Sequence, residues 1–253
     1  MPPVTVDLVE GRAGDDPALD LALAPALLAR VASGGRAPLV RVYRPWPTVA
    51  FGRRDSFLPG FAPAAAAATD HGFSPAIRAA GGRAAAYHNE CLVIEEMIAE
   101  HDAASGIQKR FAAEAERQAR ALRGLGIDAR VGEVPGEYCP GAFSVNARGR
   151  TKLVGAAQRT IRGAWLFSSV VVVGGSAPLR AVLEDVYAAL ALDWNPASTG
   201  SIEDESPGVT VGEARKALMA ALAARYRLVP AQLTPDDLAA GRDLLSRHRV
   251  ATA

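Results

Sequence analysis

Residues 142–147, 151–161 and 164–173 are three strand-like runs separated by Arg148-Gly149-Arg150 and Arg162-Gly163. A crossover between parallel strands needs a dozen or more residues, so connections this short demand hairpins and an antiparallel sheet. Further strand-like runs lie at 4–9, 38–43, 48–52, 75–79, 84–88, 91–95 and 127–134, with Arg44-Pro45-Trp46-Pro47 read as one more hairpin connection. Between and after them the period becomes helical. Asp16-Pro17 opens an apolar-periodic helix to about Val31, and an alanine-rich helix covers 61–72. An amphipathic helix runs over 107–122 and stops at Gly124 or Gly126, and another covers 178–192. Two last helices fall near 210–226 and 234–247. Helices gathered between hairpin-joined strands predict an α+β fold, a mixed and largely antiparallel sheet flanked by helices.

No repeat or linker divides the 253 residues, and their 49% hydrophobic content suits a single sizeable core. The expected organisation is one catalytic-type domain over 1–205, with a helical extension over 206–253 packed on it. A net charge of +1 gives no field for nucleic acid. The N-terminus lacks the basic and apolar regions of a signal peptide, and no run approaches membrane-spanning length. Cys91 and Cys139 are therefore expected as free thiols in a cytoplasmic protein. His71, His101 and His248 have no metal-ligand spacing, so no metal is expected.

The chemistry concentrates in Gly136-Glu137-Tyr138-Cys139-Pro140-Gly141 and in the run from Lys152 to Arg159. A cysteine between glycines and beside a proline stands on a turn, unlike Cys91, whose apolar strand context indicates packing. Hairpin geometry over 142–150 returns Lys152, one of only three lysines with Lys109 and Lys216, toward that turn. A cation beside a thiol favours the nucleophilic thiolate.

These two motifs stand in order with R-P-W-P-T-V-A-F-G-R (44–53), I-R-A-A-G-G-R-A-A-A-Y-H-N (77–89) and T-G-S-I-E-D (199–204). The series resembles the lipoate–protein ligase A/biotin ligase superfamily over roughly residues 38–205. The cysteine-bearing turn most resembles its octanoyl-(glycine-cleavage H protein):protein N-octanoyltransferase branch. The resemblance implies that Cys139 carries an acyl thioester and that Lys152 stands at the reacting carbonyl. It also implies that Arg78, Gly81, Gly82, His88, Gly155, Ala157 and Gln158 line the acyl site, His88 as a wall residue. Around the glycine pair this chain has Ala80 and Arg83, where ligases of the family typically show serine and a third glycine.

The implied activity is transfer of an octanoyl or lipoyl group to a lysine of a lipoyl carrier domain, of the glycine-cleavage H protein or 2-oxoacid dehydrogenase E2 type. No cofactor is needed beyond the acyl group, and monomer and small homo-oligomer both remain open. An ATP- and Mg-dependent lipoate–protein ligase is the alternative, with Lys152 at an acyl-adenylate. A non-catalytic acyl-binding protein of the same fold is the third reading.

Overall fold

A computed structural model describes residues 3–250. In chain order the elements are β1 (Val4–Glu10), α1 (Pro17–Ala32), β2 (Leu39–Tyr43), β3 (Thr48–Phe51), α2 (Phe61–Asp70), β4 (Ser74–Ile77), β5 (Ala85–Tyr87) and β6 (Cys91–Ala99). They continue as α3 (Ile107–Arg123), β7 (Ala129–Val131), β8 (Val145–Ala147), β9 (Thr151–Ile161), β10 (Ala164–Val172) and α4 (Ser176–Ala189). The chain ends with α5 (Ile202–Glu205), α6 (Val211–Ala223), β11 (Tyr226–Ala231) and α7 (Pro235–Leu244). Eight strands form one sheet in the order β11-β1-β2-β6-β10-β9-β8-β7, parallel only at β11-β1-β2. The expected α+β class and largely antiparallel sheet are thus borne out.

A second, three-stranded sheet, β4-β3-β5, was not expected, and it overturns one connection. Arg44-Pro45-Trp46-Pro47 is not a hairpin: β2 belongs to the large sheet and β3 to the small one. The segment holds two prolines without N–H groups. Its Trp46 indole donates to the Gly14 carbonyl at 3.0 Å, beneath the Arg12 guanidinium, which redirects the chain between layers. A strand also stands where helices alone were expected after residue 205, because β11 adds its backbone to the outer edge of β1.

Side-chain alternation divides the large sheet into two faces. Val40, Val42, Leu92, Ile94 and Val171 point to one, where Ala115, Ala119 and Leu122 of α3 and Leu218 and Leu222 of α6 pack on them. On the other face Leu39, Met97 and Leu166 receive Leu23, Leu27 and Leu28 of α1, whose first turn is capped by the Asp16 carboxylate accepting from Ala18 N–H. The small sheet, α2 and α4 form a second core with Leu21 of α1, and Cys91 is wholly buried in it. Between this second core and the large sheet the packing stays open, and the chemistry-bearing loops meet there.

Candidate active site

Cys139 is half-buried, in a left-handed conformation with φ 44°, which costs free energy for any residue except glycine unless its surroundings impose it. They do so from three directions. The Cys139 N–H donates to the Tyr187 hydroxyl of α4 at 2.8 Å, and that hydroxyl donates to the Ala84 carbonyl at 2.9 Å. The Lys152 ammonium donates to the Cys139 and Tyr138 carbonyls at 2.8 and 3.0 Å. Below the turn the Glu137 carboxylate, 3% exposed, accepts from Lys152 Nζ at 3.1 Å, Ser144 Oγ at 2.6 Å, Gly141 N–H at 2.9 Å and Val134 N–H at 3.2 Å. A buried carboxylate paired with a buried ammonium and three further donors is a scaffold on which a strained turn keeps its shape.

Lys152 therefore reaches the cysteine turn, as the β8–β9 hairpin requires, where its ammonium bonds the Cys139 and Tyr138 carbonyls and Glu137 and lies 4.9 Å from the centre of the Tyr138 ring. The cation at the sulfur is Arg78, whose Nη2 donates to Sγ at 3.4 Å, and the Arg83 N–H donates to the same atom at 3.3 Å. Arg78 also ties the glycine loop together through the carbonyls of Gly81, Arg83 and Ala50. Gly82, with φ 105°, lies against the thiol: a Cβ there would stand 2.7 Å from Sγ and 2.5 Å from Arg78 Nη2. Behind it, a Cβ on Gly52 would fall 1.8 Å from the Gly82 carbonyl oxygen. Asp55 joins the two loops by accepting from Gly52 N–H at 2.9 Å and from Arg83 Nη1 at 3.0 Å.

These loops border a cavity of about 440 Å³ between the large sheet, α1 and the small sheet. Cys139, Arg78, Gly81, Gly82, Lys152, Gly155, Ala157 and Gln158 all contribute to its wall. Gly155 leaves room for the lysine stem, since a Cβ there would lie 3.1 Å from Lys152 Cε. The T-G-S-I-E-D segment braces the start of β9, where Thr199 bridges Lys152 and Gly200 packs on Thr151.

Two residues expected at the acyl site do other work. His88 is not part of the cavity wall: its Nε2 bonds the Gly175 carbonyl at 2.9 Å and its Nδ1 accepts from Glu90 N–H at 3.1 Å. Gln158 borders the cavity, yet its side chain turns to α3, accepting from Arg110 Nε and donating to the Ile107 carbonyl. On an unbroken strand, neighbouring positions face opposite sides, so Ala157 and Gln158 cannot both present side chains to one ligand. The sequence does not by itself mark Glu137, Tyr187 or Asp55 as site residues. Only Glu137 carried a signal, as an acidic residue inside the cysteine motif. Among the described residues no group of His, Cys, Asp and Glu could hold a metal ion, and no helix is long and apolar enough to cross a membrane.

Residues 16–223 match the lipoyl protein ligase A/B catalytic domain. The chain belongs to this family. A Geobacillus kaustophilus relative named octanoyl-GcvH:protein N-octanoyltransferase is 29% identical over 162 residues, 64% of this chain and 57% of that protein. An Exiguobacterium sibiricum relative of the same name is 33% identical over 66% of this chain and 60% of its own length. The chain thus spans a little over half of these lipoyl ligase-family relatives. The family fold is also seen in a solved bipartite lipoate protein ligase from Thermoplasma acidophilum, studied with its E2 lipoyl domain. It is 20% identical, with a TM-score of 0.71, covering 96% of this chain and 92% of that one.

Proposed function

We propose that this chain moves an octanoyl or lipoyl group between lipoyl carrier domains through a thioester on Cys139. The observation that carries the reading is a half-buried thiol in the wall of a largely apolar cavity, hydrogen-bonded by the Arg83 N–H and the Arg78 guanidinium. The Cys139 thiolate adds to the carbonyl carbon of the donor's acyl-lysine amide. The C–N bond breaks, the lysine amine departs carrying the proton that the thiol gave up in forming the thiolate, and the acyl–Sγ bond remains. An acceptor lysine amine then attacks this thioester, gives up a proton and releases the thiolate. Two accessible steps replace one direct exchange between amines, and neither consumes nucleotide or metal.

Arg78 steadies the thiolate between the steps, while Lys152 and Glu137 hold the turn that presents it. The names of the two relatives support octanoyl transfer from the glycine-cleavage H protein. The lipoyl domain studied with the Thermoplasma ligase points to 2-oxoacid dehydrogenase E2 proteins as acceptors. Free thiols at Cys91 and Cys139 fit a reducing cytoplasm.

The test is incubation with an octanoylated carrier and its apo-acceptor without ATP, followed by intact mass. The expected result is one hydroxylamine-sensitive octanoyl group on the chain and label on the acceptor, both lost in Cys139→Ala. An active Cys139→Ala variant, or a strict need for ATP with free octanoate, overturns the thioester route.

A further inference from the structure

Away from the cysteine turn most of the cavity wall is aliphatic or small, but one sector there is polar. The sheet register aligns Arg41, Glu95, Ser168 and Ala157 across β2, β6, β10 and β9, on the face turned to the cavity. Glu95 is 2% exposed and lines the cavity. Its Oε2 accepts from Arg41 Nη1 at 3.4 Å, and Arg41 is paired in turn with Asp20. Tyr43, Tyr87 and Ser168 border the same space. Among the described residues, neither tyrosine hydroxyl, the Ser168 hydroxyl nor Glu95 Oε1 has a protein hydrogen-bond partner.

The Glu95 end of this sector lies away from the cysteine turn, while Tyr87 stands three residues from Ala84, whose carbonyl accepts from the Tyr187 hydroxyl that holds the turn. Ala157, which heads the row, is five residues along β9 from Lys152, and Glu95 is two strands further across. The Lys152 and Glu95 backbones are therefore on the order of 15–20 Å apart, a span that a medium-chain acyl group whose carbonyl meets Cys139 would follow to reach the polar row. A methyl terminus would leave these groups unpaired, whereas a hydroxyl or thiol would pair with them.

We propose that Glu95, with Tyr43, Tyr87 and Ser168, selects a medium-chain acyl group bearing a hydroxyl or thiol near its far end over a plain alkyl chain. The inference rests on the acyl-transfer reading for the identity of the chain, but pocket preference is measured without transfer. Calorimetric titration of the whole protein with octanamide and 8-hydroxyoctanamide reads it directly. The hydroxylated amide is expected to bind about tenfold tighter, the worth of one net hydrogen bond.

Tyr87→Phe and Ser168→Ala, each of which removes one oxygen, are expected to shrink that ratio. Glu95→Met is expected to invert it, and should it fail to fold, the two smaller variants carry the comparison. Equal affinities, tighter octanamide binding, or binding of neither amide overturns the polar-end proposal. Loss of the Cys139 thioester with an octanoylated carrier would instead overturn the transfer reading, even if the amide ratio held.

Discussion

Gly82 and Cys139 are in contact, with no space between them for a methyl group: a Cβ on Gly82 would lie 2.7 Å from Sγ. The glycine also takes φ 105°, closed in practice to other residues. Gly82→Ala is therefore expected to displace the thiol from Arg78 and the Arg83 N–H while leaving the core folded. The rate of thioester formation, followed by rapid-quench mass spectrometry, should fall about 100-fold, the effect of a misplacement near 1 Å. A wild-type rate would show that this close approach does not matter.

The two thiols should differ sharply in reactivity. Burial pushes the Cys91 thiol up to about 12, whereas Cys139 opens on the cavity. Iodoacetamide at neutral pH should add one group to the native protein, at Cys139, and a second only in denaturant. Peptide mapping after brief alkylation reads this, and native labelling of Cys91 would contradict the buried assignment.

Arg78 and Lys152 should separate chemistry from scaffold. Arg78→Ala removes the cation at sulfur and should slow Cys139 alkylation about tenfold, since thiolate reactivity depends on neighbouring charge. Lys152→Met instead strands the buried Glu137 carboxylate, with an expected stability loss of about 3–5 kcal/mol. Adding Glu137→Gln should return much of that loss. Denaturant titration and alkylation rates distinguish the two roles, and slower alkylation in Lys152→Met without lost stability would put Lys152 at the thiol after all.

Glu95 gives a pH dependence of defined sign. Burial, opposed by Arg41 and reinforced by Asp20, raises its carboxyl to about 7, and Tyr43 and Tyr87 also line its surroundings. The folded protein then keeps a proton that the unfolded chain has already lost above the ordinary carboxyl range. Stability should accordingly fall as pH rises toward 7 and level off beyond it. Relative to Glu95→Gln, the wild-type melting temperature should drop by roughly 5 °C between about pH 5 and about pH 8. A constant difference between the two proteins would mean that Glu95 is already ionised throughout.

The sheet was legible wherever pairing is local. Residues 142–173 turn back within two or three residues, so their antiparallel order follows from the lengths of the turns alone. β11 was hidden because its partner β1 is more than two hundred residues away and Pro230 weakens its strand signature. Within the site, the cysteine and glycine motifs stand out by residue type. Tyr187 does not, since an isolated tyrosine on a helix reads as core until the loop it bonds is in view. Lys152 shows the remaining gap. Sequence brings the lysine to the turn, but which atoms it meets depends on Glu137 and on the direction of each carbonyl.

The parallel β1–β11 pair has a consequence for how the protein is made. On a translating ribosome β1 emerges long before β11, and its outer row of amides waits for a partner until residue 226 and beyond have left the exit tunnel. Seven residues of strand with a bare edge are an invitation to pair with another chain over that interval. Asp7 and the exposed arginine of β11, Arg227, place charge along this seam. Nascent chains stalled short of β11 should thus be the aggregation-prone species, and the last strand acts as the clasp that ends that exposure.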